Sequence, residues 1–416
     1  MTDETVTTVP AAKTADPGAP AYPFRPRIAL EPPEEWSRLR EQCPVVPIRL
    51  PSGDGAMLVT RWEEARTLLG DTRFTRTMPP GAARISATED GGVFNRQGAS
   101  GLAIFSGSGH LRWRRLVGKA FTIKRVEAMR PGIQAIADEL VDGIVAAGPP
   151  ADIASAIGAV LPVRVIGGLL GVPLEDLPRF AAWSDTILTL TRHSKQDADA
   201  VRMEFGAYLA GLVEAKRADP GTDLLSELTQ IADAEDGRLD TVELVITAMA
   251  ILVAGHETTA NMIGKMTATL LHDRGRFEAV VADPSLVPSV VDEVLRFDTN
   301  PSIGVPRYID EDIELGGVLI PAGTTVIVSP AIANRDPRKF PDAAGFDPWR
   351  EDNHHLSFGA GSHFCLGQPL ARAELQVLLG TLARRLPGLR LAVDRSELVV
   401  KEGLIVVGFE KVPVEW

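Results

Sequence analysis

Two cysteines occur in the 416 residues, Cys43 and Cys365, and one of them stands in a setting suited to chemistry. The stretch Phe358-Gly359-Ala360-Gly361-Ser362-His363-Phe364-Cys365-Leu366-Gly367 runs straight into a helical pattern from Gln368 to Leu386. A sulfur at the N-terminus of a helix, inside a glycine-rich turn, meets backbone N–H groups and the positive helix end. Both stabilise the thiolate form that binds metals. The glycines let the backbone approach a flat ligand closely. Taken alone, a single cysteine is more commonly a small, buried, inert side chain, so its neighbours must decide. Cys43, beside Pro44, has no partner motif and is assigned no function.

Three other constellations could act with it. Glu293 and Arg296 in Glu293-Val294-Leu295-Arg296 share a helix face. Such pairs are usually solvated, but Val290, Val291, Val294, Leu295 and Phe297 around this one permit partial burial. The second is Ala254-Gly255-His256-Glu257-Thr258-Thr259-Ala260, midway along a helix over 240–272 that Asp240 and Glu243 can cap. Glycine followed by β-branched hydroxyl residues is unfavourable in a helix, so either a function compensates or the segment is a polar stripe between two apolar faces. The third is a set of cations. His110 and Arg114 lie four apart on one helix face, Arg307 follows Ile303-Gly304-Val305-Pro306 at the start of a strand, and His363 sits two residues before Cys365. Each could be a surface charge or a cap; together they could hold carboxylates.

The Phe-x-x-Gly-x-x-x-Cys-x-Gly pattern around Cys365 resembles the heme-binding loop of the cytochromes P-450, where a cysteine thiolate is the axial ligand of the iron. The resemblance spans about residues 23–416 and is to soluble bacterial members of the secondary-metabolism type; Ala333-Asn334-Arg335-Asp336-Pro337 and Phe340 match as well. It implies heme b (iron protoporphyrin IX) with Cys365 on the iron and Phe358, Gly367 and Ala254 against the macrocycle. His110, Arg114, Arg307 and His363 would contact the propionates. Glu293, Arg296 and Arg350 would form the family's structural triad behind the heme. Ala254 to Ala260 resembles the oxygen-binding groove, where a local distortion makes room for O2, Thr258 holds the distal oxygen and Glu257 helps relay protons. The presence of both residues favours an O2-consuming monooxygenase over a peroxide-dependent oxygenase. A non-enzymatic heme-thiolate sensor would be expected to carry a signalling or DNA-binding module, and none is visible. One departure is Ser106-Gly107-Ser108-Gly109, where bacterial relatives often have Asp-Pro-Pro-x before the histidine.

The elements that must carry these residues are mostly helical. Patterns over about 110–130, 131–147, 154–171, 175–193, 198–218, 222–232, 240–272, 275–282 and 286–297 read as helices. Val45–Leu50 with Ala56–Thr60, short strands between Arg307 and Val328, and a hairpin over Leu398–Phe409 supply small sheets. A 416-residue chain exceeds the ~250–300 residues at which single cores stop growing, yet no linker or repeat divides it. The elements predict a mainly α fold with small β-sheets after a disordered tail over 1–22, and the resemblance implies one triangular cytochrome P-450 domain over 23–416 with a long central helix over the heme.

Composition limits the partners. A net charge of −12 and a pI near 5.2 disfavour nucleic acid. The N-terminus lacks a signal pattern, and the apolar run Leu244–Gly255 is shorter than the roughly 20 residues of a membrane span, so a cytoplasmic monomer off the membrane is expected. With no fused redox module and no cysteines for a cluster, electrons should come from a ferredoxin and its reductase. Arg112, Arg114, Arg115, Lys119, Lys124, Arg125 and Arg130 against Glu127 form a basic stretch that could steer an acidic ferredoxin or could be an ordinary solvated face. The substrate pocket should be largely apolar, with walls from the 76–105 loop, the 175–205 helices, Ala250, Ala254, Ile303 to Val305 and Leu404 to Ile405. It suits a medium or large hydrophobic molecule, and the resemblance implies a polyketide or other secondary metabolite.

Overall fold

In chain order the computed structural model has β1 (Thr7–Thr8), α1 (Glu34–Gln42), β2 (Val45–Arg49), β3 (Gly55–Val59) and α2 (Trp62–Gly70). Next come α3 (Gly107–Gly118), α4 (Ile123–Ala147), β4 (Ala151–Asp152), α5 (Leu161–Leu170), α6 (Leu177–Ile187), α7 (Lys195–Ala218), α8 (Leu224–Gln230), α9 (Thr241–His272), α10 (Arg274–Ala282) and α11 (Val287–Phe297). The chain then runs through β5 (Val305–Tyr308), β6 (Ile313–Leu315), β7 (Val318–Ile320), β8 (Thr325–Val328), α12 (Pro330–Ala333), α13 (Gln368–Arg385), β9 (Arg390–Leu391) and β10 (Pro413–Glu415). The residues described are 7–8, 16–74, 76, 78–85, 107–188, 193–230, 239–300, 303–401 and 405–416. They divide into two compact units, Met1–Gly101 with Glu293–Cys365, and Leu102–Asp292 with Leu366–Trp416.

The first unit holds two sheets. One has the order β2-β3-β8-β5, with β2 antiparallel to β3, β3 parallel to β8 and β8 antiparallel to β5. Met57, Val59, Val326 and Val328 face one core with Leu68 and Leu69 of α2. The other is β1-β7-β6. Residues 16–22, expected as tail, are docked instead. Tyr22 N donates to the Arg49 carbonyl at 2.9 Å, Arg49 N donates to the Pro20 carbonyl at 2.9 Å, and the Tyr22 hydroxyl reaches the Ile303 carbonyl at 3.1 Å. A buried aromatic ring and the otherwise unpaired edge of β2 account for the order. Thr7 and Thr8 pair with Val318 and Leu319, while 1–6 and 9–15 lie outside the described residues.

The second unit is helical, with one small sheet ordered β4-β10-β9. Its axis of construction is α9, which opens on a reciprocal cap: Glu243 N donates to Asp240 Oδ1 at 2.7 Å and Asp240 N to Glu243 Oε2 at 3.1 Å. By length and composition α9 could cross a membrane. Its buried residues, however, include Asn261 and Lys265, and it packs on α5, α6, α7, α8, α10 and α13 of its own unit. The break expected at Pro131 falls earlier, at the 119–122 turn, and α4 runs through the proline. The hydrogen bond lost there is offset by burial of Val126, Ile133, Ala137, Val141 and Ile144 on one face. The helix expected over 154–171 divides into a wide turn at Ala154–Gly158 and α5, which ends on left-handed Gly171. The expected 398–409 hairpin is present as an antiparallel bridge between Val400 and Phe409.

Candidate functional site

In the first unit a fully buried ion-pair network underlies the cysteine loop. Glu293 and Arg296, both 0 % exposed, pair through Arg296 Nη2 to Glu293 Oε1 at 2.7 Å and Nε to Oε2 at 2.8 Å. Arg350 Nε reaches Glu293 Oε2 at 3.1 Å, and Asp347 N and Asn353 Nδ2 donate to the same carboxylate at 2.8 and 3.1 Å. The carboxylate therefore trades water for five donors, the condition under which a buried charge is tolerated. Arg296 also donates to the carbonyls of Asn334, Ala343 and Gly345 at 3.0, 2.9 and 2.8 Å.

Asn334 carries this order to the loop. Its side chain accepts from Leu356 N at 2.7 Å and donates to Ser357 Oγ at 2.9 Å, and Ser357 Oγ donates to the Leu295 carbonyl on α11 at 2.6 Å. Phe358 follows, and its carbonyl accepts from Cys365 N at 2.8 Å. Cys365 is thus fixed through its backbone while its side chain is exposed and in no disulfide. Gly367 is the cap of α13, which places Cys365 just ahead of that helix. Gly361 (φ +71°) lies so close to α2 that a Cβ would come 2.6 Å from Gly70 Cα. This presses the Gly361–His363 turn onto the C-terminal end of α2.

Arg307 arrives at the same end of α2. Gly304 (φ +87°) lets β5 start against β8, since a Cβ there would lie 2.3 Å from the Val328 carbonyl oxygen. Arg307 is 2 % exposed and donates to the Leu69 and Pro306 carbonyls at 3.2 and 3.0 Å, with no carboxylate partner among the described residues. Burial, and then repulsion from Arg76, push its pKa down to about 10. Desolvation also holds Arg76 below the ordinary arginine range. A buried guanidinium whose charge is disfavoured by burial and by a second cation is a place where an anion would be stabilising. Arg76 escaped the reading of the sequence because it stands in no motif; only the arrival of β5 beside it reveals a role.

In the second unit Ala254 and Thr258 occupy one open face of α9, and Thr258 Oγ1 donates to the Ala254 carbonyl at 2.6 Å. The helix is unbroken here, so the local distortion expected of the groove is not present as a break. A hydroxyl bonding back to the preceding turn is what stands there. Gly255 has a packing reason: a Cβ would meet Ile166 of α5 at 3.0 Å. Glu257 is buried beside His256 and Asn261. On α3, which begins at Gly107 (φ +59°), His110 is buried and stacks on Trp113, with centroids 5.8 Å apart. Arg114 is half-buried without a hydrogen bond or ion pair among the described residues. Trp113 Nε1 donates to Thr247 Oγ1 at 2.8 Å and Arg112 pairs with Glu243 at 2.9 Å, so α3 is fastened to α9.

Each unit therefore gathers its own share of the expected residues: Phe358, His363, Cys365, Arg307 and the triad in one, and His110, Arg114, Ala254, Glu257 and Thr258 in the other, with Gly367 where α13 begins. The basic stretch is partly neutralised, since Arg112, Arg125 and Arg130 pair with Glu243, Glu227 and Glu127. Residues 86–105 of the expected loop, and Leu404, lie outside the described residues.

Among the described residues no cluster of three His, Cys, Asp or Glu side chains could hold a bare metal ion. A metal bound by Cys365 would bring most of its other ligands with it, as an iron porphyrin does. In the first unit the buried Arg307 guanidinium, with Arg76 near it and no carboxylate partner among the described residues, fits a macrocycle with carboxylates on its edge.

The cytochrome P450 family model matches residues 278–387. Nocardicin C N-oxygenase of Nocardia uniformis subsp. tsuyamanensis is 40% identical over 399 residues, covering 95% of this chain and 98% of its own. Mycinamicin IV hydroxylase/epoxidase of Micromonospora griseorubida is 40% identical over 397 residues, covering 95% and 98%. The crystal structure of CYP105P1 in complex with filipin I superposes with a TM-score of 0.89 at 38% identity, covering 96% of this chain and 99% of that one.

Proposed function

The chain belongs to the cytochrome P450 family and is a heme b monooxygenase, and on that premise we propose its substrate class and its source of electrons. The substrate is a medium or large hydrophobic small molecule, a polyketide or related secondary metabolite, which the protein hydroxylates or epoxidises. A ferredoxin with its reductase supplies the electrons, and residues 23–416 act as one heme domain in a cytoplasmic monomer. Support for the substrate class comes from the relatives named for nocardicin C and mycinamicin IV and from the filipin I complex. The observation that carries the cofactor site is Cys365, whose side chain is exposed and in no disulfide while its backbone is tied to Phe358 and, through Asn334, to Arg296.

When bound, the heme supplies the activation of O2 and the transfer of one oxygen atom to substrate. The chain's own residues do the rest. Cys365 offers a thiolate. Arg307 and Arg76, with His363, would hold carboxylate, and so would His110 and Arg114. Phe358, Gly367 and Ala254 would face the macrocycle. Thr258 must release the Ala254 carbonyl before its Oγ1 can donate elsewhere, and Glu257, its neighbour in sequence, would pass on the proton that replaces the one given up. Thr258→Ala and Glu257→Gln should each keep consuming O2 while forming at least about tenfold less product per O2, the remainder leaving as hydrogen peroxide. Product quantified against O2 uptake checks this, and full coupling in either variant removes that residue from the relay.

Substrate class is tested by titrating the ferric holoprotein with macrolides and polyenes. A saturable Soret shift, followed by incorporation of one 18O atom from labelled O2 when ferredoxin and reductase are added, is the expected result. Turnover on hydrogen peroxide alone at the same rate would favour the peroxide-dependent alternative. No shift with any compound of the class would overturn the substrate assignment.

A further inference from the structure

β5, the strand that carries Arg307, has a neighbour on one side only. It is four residues long, ends the order β2-β3-β8-β5, and pairs with β8 from Val305 opposite Val328 to Tyr308 opposite Thr325. Pro306 within it has no N–H to give to a ladder, and Gly304 just ahead of it turns the chain at φ +87°. The Arg307 guanidinium rests on two carbonyls, of Pro306 and Leu69. Where that guanidinium stands therefore depends on what fixes a short edge strand.

Tyr22, far away in sequence, is fastened to the start of it. Its buried hydroxyl donates to the Ile303 carbonyl at 3.1 Å, two residues ahead of β5, and no other donor reaches that carbonyl among the described residues. The other side-chain partner of the phenol is Ser329. Ser329 directly follows β8 and caps α12, its Oγ accepting from Ile332 N at 3.4 Å. One phenol thus joins the residues that flank the Val305–Val328 end of the ladder. Tyr22 is itself held: its N donates to the Arg49 carbonyl of β2 at 2.9 Å, and its ring meets Phe24 edge-on with centroids 5.3 Å apart. Burial keeps the phenol above the ordinary tyrosine range, so it is a neutral donor at any working pH.

We propose that Tyr22 is a positioning residue for the cofactor: its hydroxyl pins the start of β5 and, through that strand, sets the Arg307 guanidinium where it meets a heme carboxylate. The proposal rests on the carboxylate-holding role of Arg307. Removing the hydroxyl leaves the Ile303 carbonyl buried without a donor, which favours a local shift of the strand. A guanidinium grips a carboxylate through short, directional bonds, so a small shift is felt as weaker hold on the cofactor.

The rate at which ferric holoprotein loses heme to excess apomyoglobin tests this without turnover. Tyr22→Phe keeps the ring and removes only the hydroxyl, so the fold survives, and it should speed heme loss by about tenfold. Arg307→Met should speed it at least as much, and the double variant should lose heme no faster than Arg307→Met alone. A Tyr22→Phe rate equal to that of the wild type overturns the proposal. So does the same factor reappearing in the Arg307→Met background, which is what a merely structural tyrosine would give. An Arg307→Met variant that loses heme no faster than the wild type instead overturns the role of Arg307, and the proposal with it.

Discussion

Cys365→Ser yields a folded chain whose reduced, carbon monoxide-treated form lacks the strongly red-shifted Soret band of the wild type. Its turnover falls by on the order of a thousandfold, about 4 kcal/mol of barrier. Two features separate this loss from a loss of fold. The Cys365 side chain is exposed, so its replacement opens no cavity. Its backbone N–H to the Phe358 carbonyl at 2.8 Å is available to any residue, so the loop keeps its course. What changes is the donor atom, because a serine hydroxyl is protonated at neutral pH and is a harder ligand than a thiolate. The spectrum of wild type and variant, read beside their melting temperatures, checks both halves. An unshifted wild-type band, or a variant that keeps the shift, would refute ligation by Cys365. Gly361→Ala gives the opposite pattern, since its Cβ would collide with Gly70 and its φ of +71° disfavours a side chain. That variant should lose stability before it loses the ligand.

What the sequence made legible follows from how local each determinant is. The start of α9 could be read because its cap is a contact between Asp240 and Glu243, three residues apart. The Glu293–Arg296 pair could be read for the same reason, and the resemblance supplied Arg350. Determinants set by distant packing were hidden. Gly255 looks like a flaw in a helix until Ile166 is found against it, and Pro131 looks like a helix end until the buried face of α4 is seen to carry through it. Arg76 and Tyr22 belong to no motif and acquire meaning only from what the fold brings near them. The docking of residues 16–22 depends on an edge of β2 that no local pattern announces.

Removing Arg296 should cost more than any other single change in the first unit. All five of its N–H groups are engaged, two with Glu293 and the others with the Asn334, Ala343 and Gly345 carbonyls. Arg296→Met strips Glu293 of its closest cation and takes the donor from two buried carbonyls, of Asn334 and Ala343, and from the partly buried one of Gly345. Breaking a buried pair alone costs about 3–5 kcal/mol, and each orphaned acceptor adds roughly 1–3 kcal/mol. Against a total stability of about 5–15 kcal/mol, the expected result is little or no heme-loaded protein at 37 °C. Arg296→Lys keeps the charge but has three donors in place of five and no fork, so it should recover part of the stability and not all of it. Arg350→Lys is the milder control, because Arg350 shares the carboxylate through Nε alone, at 3.1 Å. Heme content and thermal melting of the purified variants should therefore rank wild type above Arg350→Lys, then Arg296→Lys, then Arg296→Met. Because Asn334 links Arg296 to Ser357 and onward to Phe358 and Cys365, heme loss in Arg350→Lys should set in below its unfolding temperature. If Arg296→Met instead melts like the wild type and holds its heme, the network is not what positions the cysteine.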